Sequence, residues 1–167
     1  MPNIDMLTKE AIEEILRGEE YVVALGQDGM DEISQVAGTP PKIVWVNGCF
    51  DVMHAGHIDM LKYVRSLGQR LIVGLDTDER VQSNKGPSRP INNLHLRVKF
   101  MEAIRYVDEV KIFGSDDELK ALIRASNADT IVVGQEYENG TIIGKEIFKH
   151  VIFFPKLYNL STSKLVG

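Results

Sequence analysis

Asn47-Gly48-Cys49-Phe50-Asp51-Val52-Met53-His54-Ala55-Gly56-His57 is the stretch from which the rest of the chain can be read. The apolar run Ile43-Val44-Trp45-Val46 precedes it, and Ile58, Leu61, Val64 and Leu67 follow at helical spacing. That order predicts a buried strand, a tight loop and an amphipathic helix. His54 and His57 are three apart, so they share one helix face if the helix begins near His54. A helix start leaves backbone N–H groups free of intrahelical partners, and its dipole favours negative charge. Gly48 and Gly56 let backbone come close to a ligand. Two imidazoles beside such amides make a site for polyphosphate, with donors for oxygens that gain charge during phosphoryl or nucleotidyl transfer. Zinc fits less well. HxGH offers two nitrogens, with no HExxH pattern and no third ligand nearby, so no side chain is assigned to a metal.

Composition narrows the classes. The chain has 167 residues, 44% hydrophobic and 26% charged, which suits one packed domain. A net charge of −5 without a basic block gives no reason to expect a nucleic-acid partner. Cys49 is the one cysteine, so no intrachain disulfide can form and a reducing compartment fits. It reads either as a small apolar filler of the loop or as a reactive thiol. No apolar run reaches membrane-spanning length, and the amino terminus is acidic rather than basic-then-apolar. The expectation is a cytoplasmic protein without a membrane partner.

Residues 1–41 read as an extension that packs on the main domain, with loop signals at Gly26-Gln27-Asp28-Gly29 and Gly38-Thr39-Pro40-Pro41. A partner-binding arm is the other reading. From residue 42 to 167 the pattern alternates. Strands are expected at 42–47, 71–75, 109–113, 130–134 and 150–154, and helices at 57–67, 94–105, 116–126 and about 142–148. The strand runs are short, β-branched and apolar on both faces, as in parallel strands covered by helices. The fold class is α/β, a doubly wound, Rossmann-like parallel five-stranded sheet with helices on both faces. Such sheets bind ligands beyond the carboxyl ends of their strands.

Other polar clusters fall where that architecture puts ligands. Asp76-Thr77-Asp78 ends the second strand and reads either as a cap for the next segment or as a contact for sugar hydroxyls or phosphate. Lys85-Gly86-Pro87-Ser88-Arg89-Pro90-Ile91-Asn92 is a loop with two cations, either plain surface or a phosphate-holding flap. Arg97 and Arg65 stand on neighbouring helices, to meet phosphate or pair with an acid. Gly134-Gln135-Glu136 follows the fourth strand and is placed to read a base or a sugar. Ser161-Thr162-Ser163 is a run of hydroxyls that can cap a helix or hold terminal phosphates.

Gly48-Cys49-Phe50-Asp51-Val52-Met53-His54-Ala55-Gly56-His57 resembles the GxFDxxHxGH signature of the cytidylyltransferase-like nucleotidyltransferases. GLDTDERV, RYVDEV at 105–110 and LSTSKLV at 160–166 look like successive landmarks of the members that include glycerol-3-phosphate cytidylyltransferase. KGPSRPIN and the GQEY…GKE pattern look more like the heptose 1-phosphate adenylyltransferase domain of the ADP-heptose synthesis enzyme. The similarity covers 42–167. It implies that His54, His57 and Lys85 are catalytic, contacting the triphosphate and its transition state. It implies a nucleotide site of Gly48, Cys49, Phe50, Asp51, Gly56, Arg65, Gly134, Gln135, Glu136, Ser161, Thr162 and Ser163, and a substrate site of Asp76, Asp78, Arg89 and Arg97. It also implies Mg²⁺ bound with the nucleoside triphosphate, and a homodimer with Arg105 or Asp108 near its interface. Two positions depart from the pattern: Lys156 lies where cytidylyltransferases carry an arginine before their hydroxyl run, and Gln135-Glu136 replaces Gly-Asp or Asp-Asp. The expected reaction is transfer of a nucleoside monophosphate from NTP to a sugar or polyol phosphate with release of pyrophosphate. ATP and a heptose-type sugar 1-phosphate come first, and CTP with glycerol 3-phosphate is the alternative. A non-catalytic nucleotide-binding scaffold is the reading from another class, and the intact HxGH argues against it.

Overall fold

The protein is described from a computed structural model over residues 43–155 and Leu165. The expected extension at 1–41 and the hydroxyl run Ser161, Thr162 and Ser163 lie outside the described residues.

Five parallel strands form one sheet: β1 Ile43–Gly48, β2 Arg70–Asp76, β3 Glu109–Phe113, β4 Thr130–Gly134 and β5 His150–Phe154. Their spatial order is β3-β2-β1-β4-β5. The winding direction therefore reverses between β1 and β4, the crevice where doubly wound sheets take ligands. Trp45 pairs with Ile72 on one side and Ile131 on the other, which fixes β1 at the centre. Alternation along β1 feeds two cores. Val44 and Val46 join Leu61, Val64, Leu71 and Met101 on one face, and Trp45 joins Phe113, Leu119, Ile123 and Ile131 on the other. Gly74 in β2 is a packing requirement, because a Cβ there would lie 2.8 Å from the Trp45 ring and 3.1 Å from Phe113.

Four helices cover the sheet: α1 Ala55–Ser66, α2 Asp78–Lys85, α3 Leu94–Glu102 and α4 Asp116–Ser126. Helix α4 has the bounds its sequence predicts. The Ser115 hydroxyl accepts from the Glu118 N–H at its start, and Asn127 ends it in the left-handed region at φ 56°. Helix α2 was not expected, because Asp-Glu-Arg-Val-Gln-Ser-Asn-Lys buries only Val81 and shows no apolar stripe. Its cap makes it: the Thr77 hydroxyl accepts from the Arg80 N–H at 3.3 Å, Asp78 and Glu79 sit in the first turn, and Gly86 at φ 98° closes the end. The expected helix at 142–148 is a single 3₁₀ turn, Lys145–Ile147, entered through Gly144 at φ 80°. Helix α3 stops at Glu102 rather than 105. Among the described residues no helix is long and apolar enough to cross a membrane.

Candidate active site

The carboxyl ends of β1, β2 and β4 open onto a cavity of about 560 Å³. Asn47, Gly48, Cys49, Phe50 and His57 line it from the β1–α1 junction, and Asp76, Arg80, Asn84 and Lys85 from the β2–α2 side. Gly134, Glu136 and Tyr137 close the β4 side.

The β1–α1 turn is held in an unusual backbone state. Phe50 has φ 44°, a region that bulky side chains rarely adopt, and its ring is buried against the His57 imidazole at 5.4 Å. The turn sends Asp51 inward while Gly48 and Cys49 stay at the cavity wall. Asp51 is 1% exposed. Its carboxylate accepts from Arg89 Nε at 2.7 Å, the Ile91 N–H at 2.8 Å and the Asn92 N–H at 2.8 Å, and Asn92 Nδ2 donates to its carbonyl. Burial works against its charge. The donors from Asn92, Ile91 and Arg89 outweigh that, and the carboxyl lies below its ordinary range. Asp51, expected to contact nucleotide, here faces three donors of the 86–93 loop, which it fastens.

His57 is set by two contacts. The His54 N–H donates to His57 Nδ1 at 3.2 Å, and the two imidazoles stack with centroids 3.8 Å apart. An accepting Nδ1 in a neutral ring places the proton on Nε2, leaving that nitrogen as a donor. Burial, then the charges of His54 and Lys85, lower the His57 pKa from its ordinary 6.5 to about 4. The ring is therefore neutral at pH 7. Lys85, at the end of α2, reaches across to donate to Cys49 Sγ at 3.0 Å. Lys85 and Cys49 thus meet at the cavity with His57, as the sequence predicts.

Arg97 does not face the cavity. It is 1% exposed, and its guanidinium is spent on three loops. Nε donates to the Asn92 carbonyl at 3.0 Å, Nη1 to the Cys49 and Asp76 carbonyls at 2.9 and 2.8 Å, and Nη2 to Asp78 Oδ1 at 2.6 Å. Arg97, expected to contact substrate, stands here as a strut that ties the β1, β2 and 86–93 loops together. Asp78 is its counter-ion and is absent from the cavity wall. Arg89 lies beside Asp51, also off the cavity wall, with a buried Nη2 that has no partner among the described residues. Arg65, expected at the nucleotide, lies elsewhere. It pairs with Asp108 at 3.1 Å and donates to the Gly68 carbonyl at 2.8 Å, at the end of α1 far from His57. Gly56 sits in the first turn of α1, and neither it nor Gln135 lines the cavity.

The sequence reading missed Arg80. It lines the cavity, its Nε on Asp76 Oδ1 and its Nη2 on Asp116 Oδ1, both at 2.7 Å. The signal was present as Asp76 at the end of β2 and Arg80 four residues on, in the first turn of a helix whose cap is Thr77. Burial raises the Asp76 carboxyl above its ordinary value, more than Arg80, Arg97 and Lys85 lower it. No cluster of three or more His, Cys, Asp or Glu among the described residues is arranged to hold a metal ion.

The cytidylyltransferase-like family model matches residues 45–162, from the centre of β1 through the candidate site. The chain belongs to the cytidylyltransferase-like family. That membership makes it a nucleotidyltransferase by class. Among curated proteins it is similar to the bifunctional protein HldE of Helicobacter hepaticus, 42% identical over 125 residues, 75% of this chain and 26% of that protein. The HldE of Wolinella succinogenes is 36% identical over 151 residues, 90% of this chain and 32% of that protein. The chain thus spans about a quarter to a third of the curated relatives it matches. Among solved structures, the lipopolysaccharide core biosynthesis protein from Thermoplasma volcanium superposes with a TM-score of 0.54 at 23% identity, covering 72% of this chain and 99% of that one. That likeness shows the same cytidylyltransferase-like fold.

Proposed function

We propose that this nucleotidyltransferase moves AMP from ATP to the phosphate of a heptose-type sugar 1-phosphate and releases pyrophosphate. The observation that carries the reading is the neutral His57, its Nε2 left as donor, beside Lys85 at the start of α1. The likeness to bifunctional HldE proteins over 75% or more of the chain supports the choice of acceptor.

In this reading the triphosphate lies over the first turn of α1, where free amides and the helix dipole favour anions. His57 Nε2–H donates to an α-phosphate oxygen as charge builds there, and Lys85 follows the leaving phosphates as a mobile charge. The acceptor phosphate is ionised at neutral pH, so it attacks the α-phosphorus in line without a general base. Its O–P bond forms as the bond to pyrophosphate breaks. The protein's contribution is positioning and charge stabilisation. Mg²⁺ would enter with the nucleotide, because no cluster of three or more His, Cys, Asp or Glu among the described residues is arranged to hold it alone. When bound it supplies charge neutralisation for the leaving pyrophosphate. The nucleoside extends towards Gly134, Glu136 and Tyr137.

Pyrophosphate release across NTP and sugar-phosphate panels tests the reaction. Thermal-shift titrations with ATP and CTP, each with Mg²⁺, test the base, since the tighter ligand raises the melting temperature more. The expected result is a larger shift with ATP. A larger shift with CTP, together with turnover of glycerol 3-phosphate, would replace the heptose-type assignment and leave the transferase assignment standing. The same reading includes a cytoplasmic homodimer with Arg105 or Asp108 near its contact. Light scattering should give twice the chain mass at micromolar concentration, and a monomer mass would remove that part.

A further inference from the structure

With β1 at the centre of the sheet, the residues lining the cavity fall into two arms, one on each side of it. One runs over β4 to Gly134, Glu136 and Tyr137, and the other over β2 to Asp76, Arg80 and Phe113. An in-line transfer needs the nucleoside and the acceptor on different sides of the phosphates. The two arms differ in chemistry in a way that assigns them. The β4 arm offers backbone and an aromatic face, suited to a flat base. The β2 arm carries a fixed, charged hydrogen-bonding pair that no part of the nucleotide mechanism uses.

Arg80 is 16% exposed, and its guanidinium is locked in place. Asp76 and Asp116 hold two of its nitrogens at 2.7 Å, and its Cζ lies 5.3 Å from the centre of the Phe113 ring. Its third nitrogen, Nη1, makes no hydrogen bond among the described residues. Asp76 in turn has one oxygen on Arg80, and both residues stand at the cavity wall. Nη1 and the second Asp76 oxygen are thus a donor and an acceptor without protein partners among the described residues, on two residues of the same cavity wall. Asp76 and Asp116 already balance the Arg80 charge, so its open nitrogen suits a neutral hydroxyl better than a phosphate. Rigid forks of this kind lose little entropy when they bind.

The geometry points to Arg80, with Asp76, as the pair that reads hydroxyls of the acceptor sugar, Arg80 Nη1 donating to one oxygen and Asp76 accepting from another. The inference rests on the sugar-phosphate reading above. It makes Arg80 a specificity residue for the acceptor and gives it no part in holding ATP.

Steady-state kinetics with ATP, the preferred sugar 1-phosphate and its monodeoxy analogues test it in the wild type, Arg80→Met and Arg80→Lys. A site built to hydrogen-bond a hydroxyl strongly rejects the analogue that lacks it. The wild type should therefore lose at least ~10²-fold in kcat/KM with one deoxy analogue. Arg80→Met should lose a similar factor with the parent sugar and bring parent and analogue within about threefold of each other, with KM for ATP within about threefold of wild type. Arg80→Lys keeps the charge but not the fork, and should discriminate at an intermediate level. It also serves if the methionine variant does not fold. Equal discrimination by wild type and Arg80→Lys, or a rise in KM for ATP that parallels the acceptor effect, overturns the inference. A wild type that turns over sugar phosphate while the Arg80 variants match it overturns the inference alone. A wild type that releases pyrophosphate with no sugar phosphate overturns the transferase reading and the inference together.

Discussion

Residues 47–57 and residues 76–97 feed the same cavity by opposite means. The first segment brings its groups within eleven consecutive positions: a glycine, a thiol, an inward carboxylate and two stacked imidazoles at one strand–helix junction. The second is scattered over two helices and a loop, and it works through bonds that cross the chain. Arg97 reaches 48 residues back to Cys49, and Asn92 reaches 41 back to Asp51. The short segment supplies the imidazoles, and the long one supplies Lys85 and, through Arg97 and Asn92, fastens the backbone from which they act. Electrostatic catalysis needs both, because a donor lowers a barrier only if it does not have to be reoriented during the reaction.

The sharpest way to break that division is at Asp51, which belongs to the first segment by sequence and serves the second by contact. Asp51→Ala leaves the Arg89 guanidinium buried without a counter-ion and two amides without an acceptor. Removing one partner of such a pair costs about 3–5 kcal/mol, a large share of the ~5–15 kcal/mol that holds a typical domain together. Urea or thermal unfolding should show that loss. Asp51→Ala combined with Arg89→Met should cost less than the sum of the two single changes, because the stranded charge is gone. A single variant of near-wild-type stability that has lost nucleotide affinity would return Asp51 to the ligand.

This contrast also explains what could be read in advance. Strands β3, β4 and β5 have the bounds the sequence predicts, and β4, Thr-Ile-Val-Val-Gly, shows why: a buried parallel strand writes itself as a continuous β-branched stretch. His57, Lys85, Cys49 and Glu136 are at the cavity, as their motif and strand-end positions imply. Asp51, Arg97 and Arg65 were assigned to ligands because a charge near a motif looks like a binding group. Their partners are remote in sequence or are backbone atoms, and neither leaves a trace in residue identity. Helix α2 was missed for a related reason. It rests on the Thr77 cap and one buried valine instead of an apolar stripe, so Arg80 was never placed on a face.

A smaller effect is expected at the chemical centre. His57→Ala removes one donor for the transition state and should lower turnover by about 10²–10³-fold. Near-normal turnover in a folded variant would refute the role. The same residue gives a pH signature in the free protein. Its folded pKa of about 4 lies below the ordinary 6.5, so between those values the unfolded chain holds the extra proton. Stability should rise with pH across that window and gain nothing more from His57 above it. His57→Ala should remove that part of the slope, whereas an unchanged slope would mean that His57 keeps its ordinary pKa in the folded protein.

The least effect is expected at Arg65, and that makes it the cleanest control on the comparison. It shares α1 with His57, but eight residues of helix separate them, about 12 Å at the usual rise. Its guanidinium is tied to Asp108 and the Gly68 carbonyl, and Asp108 also accepts from the Leu71 N–H at the first turn of β2. That is the amino end of the sheet, opposite the cavity. Both members of the pair are about a third exposed, 36% and 35%, so solvent screens them. Arg65→Ala should cost no more than about 1 kcal/mol of stability, the range for such pairs. KM for ATP and for the acceptor should stay within about twofold of wild type, because no phosphate at the α1 start lies within reach. A tenfold rise in KM for ATP would show that the far end of the sheet is coupled to the site, and the separation between a reacting segment and a supporting one would have to be redrawn to include α1 along its whole length.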